Sequence, residues 1–194
     1  AEPHGNYNRI MLSSVLCGEK TVEDIVINDR QWYKDNHITL HAGKDKSVCK
    51  IDRATNTVVS EDGTKAEYDR LLIATGSNPV VLPIPGCDLQ GVISFRQIID
   101  ISTMLDYART HKHAVVLGGG LLGLEAANGL AMRGMDVTVV HSNAILLNRQ
   151  MDTQAGTLLQ QALEKRSLKF KMPAKTQELV DDGNGHVKAV RFAD

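Results

Sequence analysis

Cysteine is scarce in this sequence and never closely paired. The three cysteines in 194 residues, Cys17, Cys49 and Cys87, form no CxxC or comparable spacing, which argues against a redox-active dithiol and against a zinc knuckle. No metal-ligand set is expected. An odd count, with no basic-then-apolar leader in Ala-Glu-Pro-His-Gly-Asn, points to reduced thiols and a cytoplasmic protein. No apolar run approaches the roughly 18 residues of a membrane helix, so no membrane is expected. An excess of one charge is lacking too: the net charge of -1 gives no reason to expect nucleic acid or an anionic lipid surface. Repeats, low-complexity tracts and charge blocks are absent. At 42 % hydrophobic and 23 % charged, the composition is that of an ordinary globular chain, long enough for one well-packed domain or two small ones.

What is present is glycine, concentrated in one place. Residues 117–130 read LGGGLLGLEAANGL, after the short apolar run His113-Ala-Val-Val-Leu117 and before a helix-forming stretch that stops at Gly134. The context is strand, tight turn, helix, and the apolar Asp136-Val-Thr-Val-Val140 completes a βαβ unit. In that setting Gly118 reverses the chain, Gly120 lets a pyrophosphate approach bare backbone, and Gly123 lets the helix pack against the sheet. The helix N-terminus adds unpaired N–H groups and a partial positive charge. The loop Gly118, Gly119, Gly120, Leu121, Leu122 and Gly123 is therefore expected to hold a dinucleotide phosphate. An acid about 20 residues on would select NAD, an arginine NADP. Here that place holds His141, followed by Ser142, with Arg149 eight residues later. Neutral imidazole suits a ribose hydroxyl and imidazolium a phosphate, so the choice between NAD and NADP stays open.

Elsewhere the pattern predicts a helix over 21–33, a strand over 36–42, strands at 48–52 and 56–60, and a hairpin turning at Glu61-Asp62-Gly63 into 64–68. Leu71-Leu-Ile-Ala74 is apolar without alternation, as in a strand buried on both faces, and Thr75-Gly76 end it where a ligand could approach. Residues 80–91, with Pro83, Pro85 and Gly86, read as a linker. Helices are expected over 96–108 and 151–166, a strand over 168–172, and a terminal hairpin around Asp182-Gly-Asn-Gly. The order βαβαβ with an added meander defines an α/β, Rossmann-like nucleotide-binding domain on a parallel sheet.

Two segments, YDRLLIATGSNPVVLPIPG and VVLGGGLLGLEAANGLAMRGMDVTVVH, together resemble the two-dinucleotide flavoprotein reductases, in which one domain binds FAD and another NAD(P)H. With YNRIMLSSVLCGEK, DIVINDRQWY and ITLHAG added, the chain more closely resembles the large subunits of NAD(P)H-dependent assimilatory nitrite reductases. The resemblance implies that Thr75 and Gly76 lie against FAD, that Glu2 holds its adenosine ribose, and that Arg9 sits near the flavin. Ser14 stands where ferredoxin-reductase relatives carry a lysine beside the flavin. Glu125 matches an acid near the nicotinamide, while its place in the first helical turn also suits the helix dipole.

The resemblance further implies a partial FAD-binding domain over 1–82, without its own glycine-rich unit, and an NAD(P)H-binding domain over 83–194 without its closing strand. The piece is expected to bind NAD(P)H and to hold FAD poorly. Iron–sulfur and sirohaem centres belong to regions of the family not found in this sequence. The implied activity is hydride transfer from NAD(P)H to FAD for reduction of nitrite to ammonia, with no catalytic side chain on this stretch. The alternatives are a reductase feeding ferredoxin or rubredoxin, and a non-catalytic nucleotide-binding fragment. The expected partners are FAD, the remaining nitrite reductase domains or subunit, and a second copy of the chain. On the cofactor, the resemblance leans toward NADH.

Overall fold

A computed structural model describes residues 2–193. In chain order the helices are α1 (Leu12–Cys17), α2 (Arg30–Asp35), α3 (Ile98–Thr110), α4 (Leu121–Met132) and α5 (Thr153–Glu164). The strands are β1 (Val48–Asp52), β2 (Thr57–Ser60), β3 (Lys65–Glu67), β4 (His113–Leu117), β5 (Asp136–Val140), β6 (Lys169–Lys171), β7 (Thr176–Asp181) and β8 (Val187–Phe192). They form two compact units, one made of the residues up to Asn8 with Glu23–Asn78, the other of Arg9–Val22 with Pro79–Asp194.

The first unit is built on the antiparallel sheet β1-β2-β3. Its expected helix over 21–33 is a correction: a 3-10 turn spans Glu23–Ile25, and only α2 is helical. Two causes act together. Asp29 accepts a hydrogen bond from Trp32 N at 2.7 Å and so starts a new helix, as a short acidic side chain does at an N-cap. The β-branched Ile25-Val26-Ile27 run meanwhile pairs with the N-terminal segment, through Asn8 N to Ile25 O at 2.7 Å and Ile27 N to Asn6 O at 2.8 Å.

The strands expected at 36–42 and 71–74 do not form. Around the first, His37 takes a left-handed φ of 54° and Ile38 N bonds back to Tyr33 O at 2.8 Å, capping α2 rather than joining a sheet. The second is extended but pairs with no strand among the described residues, and Leu72 is 88 % exposed. A two-faced buried strand needs neighbours on both edges and layers on both sides; without them, apolar composition alone makes no strand.

The second unit carries the parallel sheet β4-β5-β6, with β4 and β5 in register from His113 opposite Asp136 to Leu117 opposite Val140. The chain runs β4-α4-β5-α5-β6, as the periodicity anticipates. Val137 and Val139 of β5 are wholly buried, with Ala127 of α4 and Leu146. Leu16 of α1 is also wholly buried, against α4 at Gly129, where a Cβ would stand 2.7 Å from its Cγ. The residues read as a linker are not a free tether here: Leu179 N bonds Pro85 O at 2.9 Å and Gln90 N bonds Gly185 O at 2.9 Å, fixing 85–90 to the β7-β8 hairpin.

Candidate functional site

The turn between β4 and α4 is shaped by three glycines with different demands. Gly118 has φ +123°, a conformation in which a Cβ is strongly disfavoured, and its N–H bonds Val140 O at 2.8 Å. At Gly123 a Cβ would fall 2.1 Å from Gly118 O, so any side chain would push α4 off the turn. Gly120, the N-cap of α4, has an unremarkable φ of -85°, and a Cβ there would meet nothing within 4 Å. The protein itself has no steric need for glycine at 120; what its bareness leaves is open space in front of the first N–H groups of α4. Those groups have no partner within the helix, which makes the spot suited to an anion.

Beyond β5 the chain bends over this turn. A pocket of about 430 Å³ is lined by residues 120, 141–143 and 147–150. It brings together four of the expected residues: Gly120, His141, Ser142 and Arg149. The imidazole of His141 packs toward the glycine turn, since a Cβ on Gly119 would stand 2.9 Å from its Cγ and Cδ2. Its Nε2 is buried and has no hydrogen-bond partner among the described residues. Leu121 and Leu122 are more than half exposed, at 59 % and 55 %. Glu125 lies one turn further along α4, where burial pushes its carboxyl pKa above the ordinary value.

The remaining expected residues are not among those lining the pocket. Glu2 accepts a hydrogen bond from the Tyr7 hydroxyl at 2.5 Å. Arg9 donates from Nη1 to Arg96 O at 2.6 Å. Thr75 and Gly76 sit in the unpaired extended segment, Gly76 with φ +71°. No second glycine turn leading into a helix N-terminus is found among the described residues. The open backbone at Gly120, ahead of the α4 N-terminus, fits the diphosphate of a dinucleotide. No group of described His, Cys, Asp or Glu residues could hold a metal ion, and no described helix is long and apolar enough to cross a membrane.

The sequence pattern misses the loop that closes the pocket. Leu146 and Leu147 are buried, and Leu147 N bonds Gly119 O at 3.0 Å, tying residues 143–150 to the glycine turn. Leu147 adopts φ +50°, a left-handed conformation costly for leucine and held only because its surroundings over-determine it. Composition gives no sign of that. The sole available signal is the apolar Leu146-Leu147 pair standing between polar residues before the Asp152 cap.

The chain matches the pyridine nucleotide-disulphide oxidoreductase family over residues 1–194 and belongs to it. Its α/β fold is that of the family. Among individual relatives, it is 48 % identical over 194 residues to a nitrite reductase [NAD(P)H] of Bacillus subtilis, matching all of this chain and 24 % of that protein. It is 44 % identical to the assimilatory nitrate reductase electron transfer subunit of the same organism, over 99 % of this chain and 24 % of the relative. Among solved structures, a ferredoxin reductase from Rhodopseudomonas palustris superposes with a TM-score of 0.88 at 22 % identity, over 99 % of this chain and 47 % of that one. The chain thus spans about a quarter of the length of these curated relatives.

Proposed function

We propose that this chain is the nicotinamide-nucleotide entry region of a flavoprotein reductase serving nitrite assimilation. In this reading residues 83–194 bind NAD(P)H and residues 1–82 belong to an FAD-binding domain. The parent protein would be cytoplasmic and would pass reducing equivalents through FAD toward reduction of nitrite to ammonia. The observation that carries it is the open backbone at Gly120, ahead of the α4 N-terminus, in a chain 48 % identical to a nitrite reductase.

When bound, the nicotinamide supplies the hydride. The chain's own residues bind and orient. The peptide groups of the 118–123 turn and the N-terminus of α4 would hold the diphosphate, the 141–150 segment would bind the adenosine end, and Leu121 and Leu122 present apolar surface beside the turn. Glu125, with its raised pKa, offers a carboxyl that takes up a proton more readily than an exposed one.

Calorimetric titration of the full chain with NADH, NADPH and ADP-ribose tests this. Binding of these ligands, weakened about tenfold or more on substitution of Gly120, is the expected result; heat changes absent for all three would refute it. A second reading, a reductase that feeds a ferredoxin, is favoured by the superposition on the Rhodopseudomonas reductase. Flavin-dependent electron transfer to added ferredoxin by the parent protein, with no nitrite consumption, would select it.

A further inference from the structure

We propose that Asn184, in the turn between β7 and β8, is a site of spontaneous isoaspartate formation, and that this covalent change releases residues 85–90 from the hairpin. The proposal does not depend on nucleotide binding.

In an asparagine followed by glycine, the main-chain nitrogen of the second residue can attack the side-chain amide of the first, because no Cβ screens that nitrogen. The chain has two such pairs, Asn128-Gly129 and Asn184-Gly185, and the fold treats them oppositely. Asn128 lies inside α4, where the N–H of Gly129 is held in the helical ladder. Its Nδ2 donates to Cys17 Sγ at 3.6 Å, its Oδ1 accepts from Arg166 Nη1 at 3.5 Å, and Gly129 is buried against Leu16. Ring closure there first requires α4 to unwind.

Asn184 is exposed. The N–H of Gly185, the attacking group, donates to a side chain, Asp181 Oδ1, at 2.9 Å. That acceptor is on the surface and can rotate away, so the bond is given up more easily than one in a helix. A Cβ placed on Gly183 or Gly185 would meet nothing within 4 Å, which leaves the turn room to change shape around Asn184.

The reaction needs water alone. Gly185 N loses its proton and bonds Asn184 Cγ, the bond from Cγ to the amide nitrogen breaks, and that nitrogen leaves as ammonia with the proton. Water then opens the cyclic imide at either carbonyl, giving aspartate or isoaspartate. Nothing is oxidised or reduced. Isoaspartate carries the main chain through the side-chain carbon, so it adds a methylene to the backbone directly before Gly185.

That placement gives the change its consequence. Gly185 O accepts from Gln90 N at 2.9 Å, and Gln90 O accepts from Val187 N at 2.9 Å, so Gln90 is clasped between main-chain groups on the two sides of His186. A methylene inserted before Gly185 moves one of those groups relative to the other, and the clasp on 85–90 opens.

The test is to age the full chain in mildly alkaline buffer and follow each peptide by mass spectrometry, with a urea-unfolded sample alongside. The Asn184 peptide should gain about one dalton as amide becomes carboxyl, and fragmentation should show mostly isoaspartate. The mass gain separates it from isomerisation at Asp182-Gly183, which leaves mass unchanged. Asn128 should react at least about tenfold more slowly in the folded chain, since helix opening must precede attack, and at a rate like that of Asn184 in urea. Hydrogen exchange at the Gln90 amide should be about tenfold faster or more in the aged chain. It should stay slow in aged Asn184→Gln and in fresh Asn184→Asp, which adds the charge without lengthening the backbone. An Asn184 that survives while the unfolded chain reacts, or an Asn128 that reacts equally fast in the folded chain, would overturn the assignment. Isoaspartate at 184 with unchanged Gln90 exchange would overturn the release.

Discussion

At Gly120 and Gly123 the same deletion of a side chain serves opposite masters, and single substitutions separate them. A Cβ on Gly123 would collide with Gly118 O, so Gly123→Ala is expected to cost about 1–3 kcal/mol of stability, as overpacking does, visible as an earlier urea midpoint. Gly120→Ser adds atoms to open space and supplies a good N-cap, so stability should move by less than about 0.5 kcal/mol. Nucleotide affinity should nevertheless fall about tenfold or more, the loss expected when charge-assisted bonds to backbone N–H are blocked. If calorimetry showed unchanged affinity in Gly120→Ser, the diphosphate would have to lie elsewhere. Glu125 allows a pH experiment on the same helix. Burial raises its folded pKa, so the folded state favours the protonated form. The stabilisation it contributes is present below the unfolded carboxylate pKa and is lost as pH rises through the raised folded value. Glu125→Gln should remove that loss, making the variant's stability less dependent on pH across the weakly acidic range in denaturation curves.

Among the elements, those made by local signals are the ones the sequence displays. Strand β4, its glycine turn, α4 and β5 are legible because the apolar period changes from that of a strand to that of a helix around Gly118–Gly123, and each half supports the other. Helix α5 begins at the Asp152 cap and β7-β8 turns at Asp182-Gly183, both short-range chemistry. The pairing of α1 with α4 is not legible, because it depends on partners more than a hundred residues apart: Arg133 donates from Nε to Leu16 O at 2.6 Å and from Nη2 to Val15 O at 3.0 Å. The Val15 carbonyl also accepts from Gly18 N at 3.1 Å, whereas at Leu16, in the last turn of α1, the guanidinium supplies the donor that the helix itself does not. Arg133→Ala should therefore cost about 1–3 kcal/mol by leaving the Leu16 carbonyl without its donor. Arg133→Lys, which keeps the charge but not the fork, should recover only part of that loss. Equal urea midpoints for the alanine variant and the unmodified chain would show that α1 is held by Leu16 packing alone.

For the molecule as a whole, apolar sequence that finds no partner matters as much as the site. The run read as a two-faced strand lies extended and open, with Leu72 at 88 % and Ile73 at 67 % exposed. The same physics explains both the failed expectation and its consequence. Hydrophobicity measures how strongly a segment benefits from burial, whereas strand formation also requires another strand to bond with, and a sequence pattern reports only the first. Extended backbone with unpaired N–H and C=O groups beside apolar side chains is a template for pairing with a second chain. The isolated chain is expected to self-associate, with a weight-average mass in sedimentation equilibrium that rises with loading concentration. Replacing Leu72 and Ile73 together by serine removes apolar area without touching the Gly118–Gly123 turn. It should move the distribution toward monomer and leave ADP-ribose affinity unaltered. A chain that sediments as monomer across the whole range, before any substitution, would mean that this segment finds its cover within the molecule in solution.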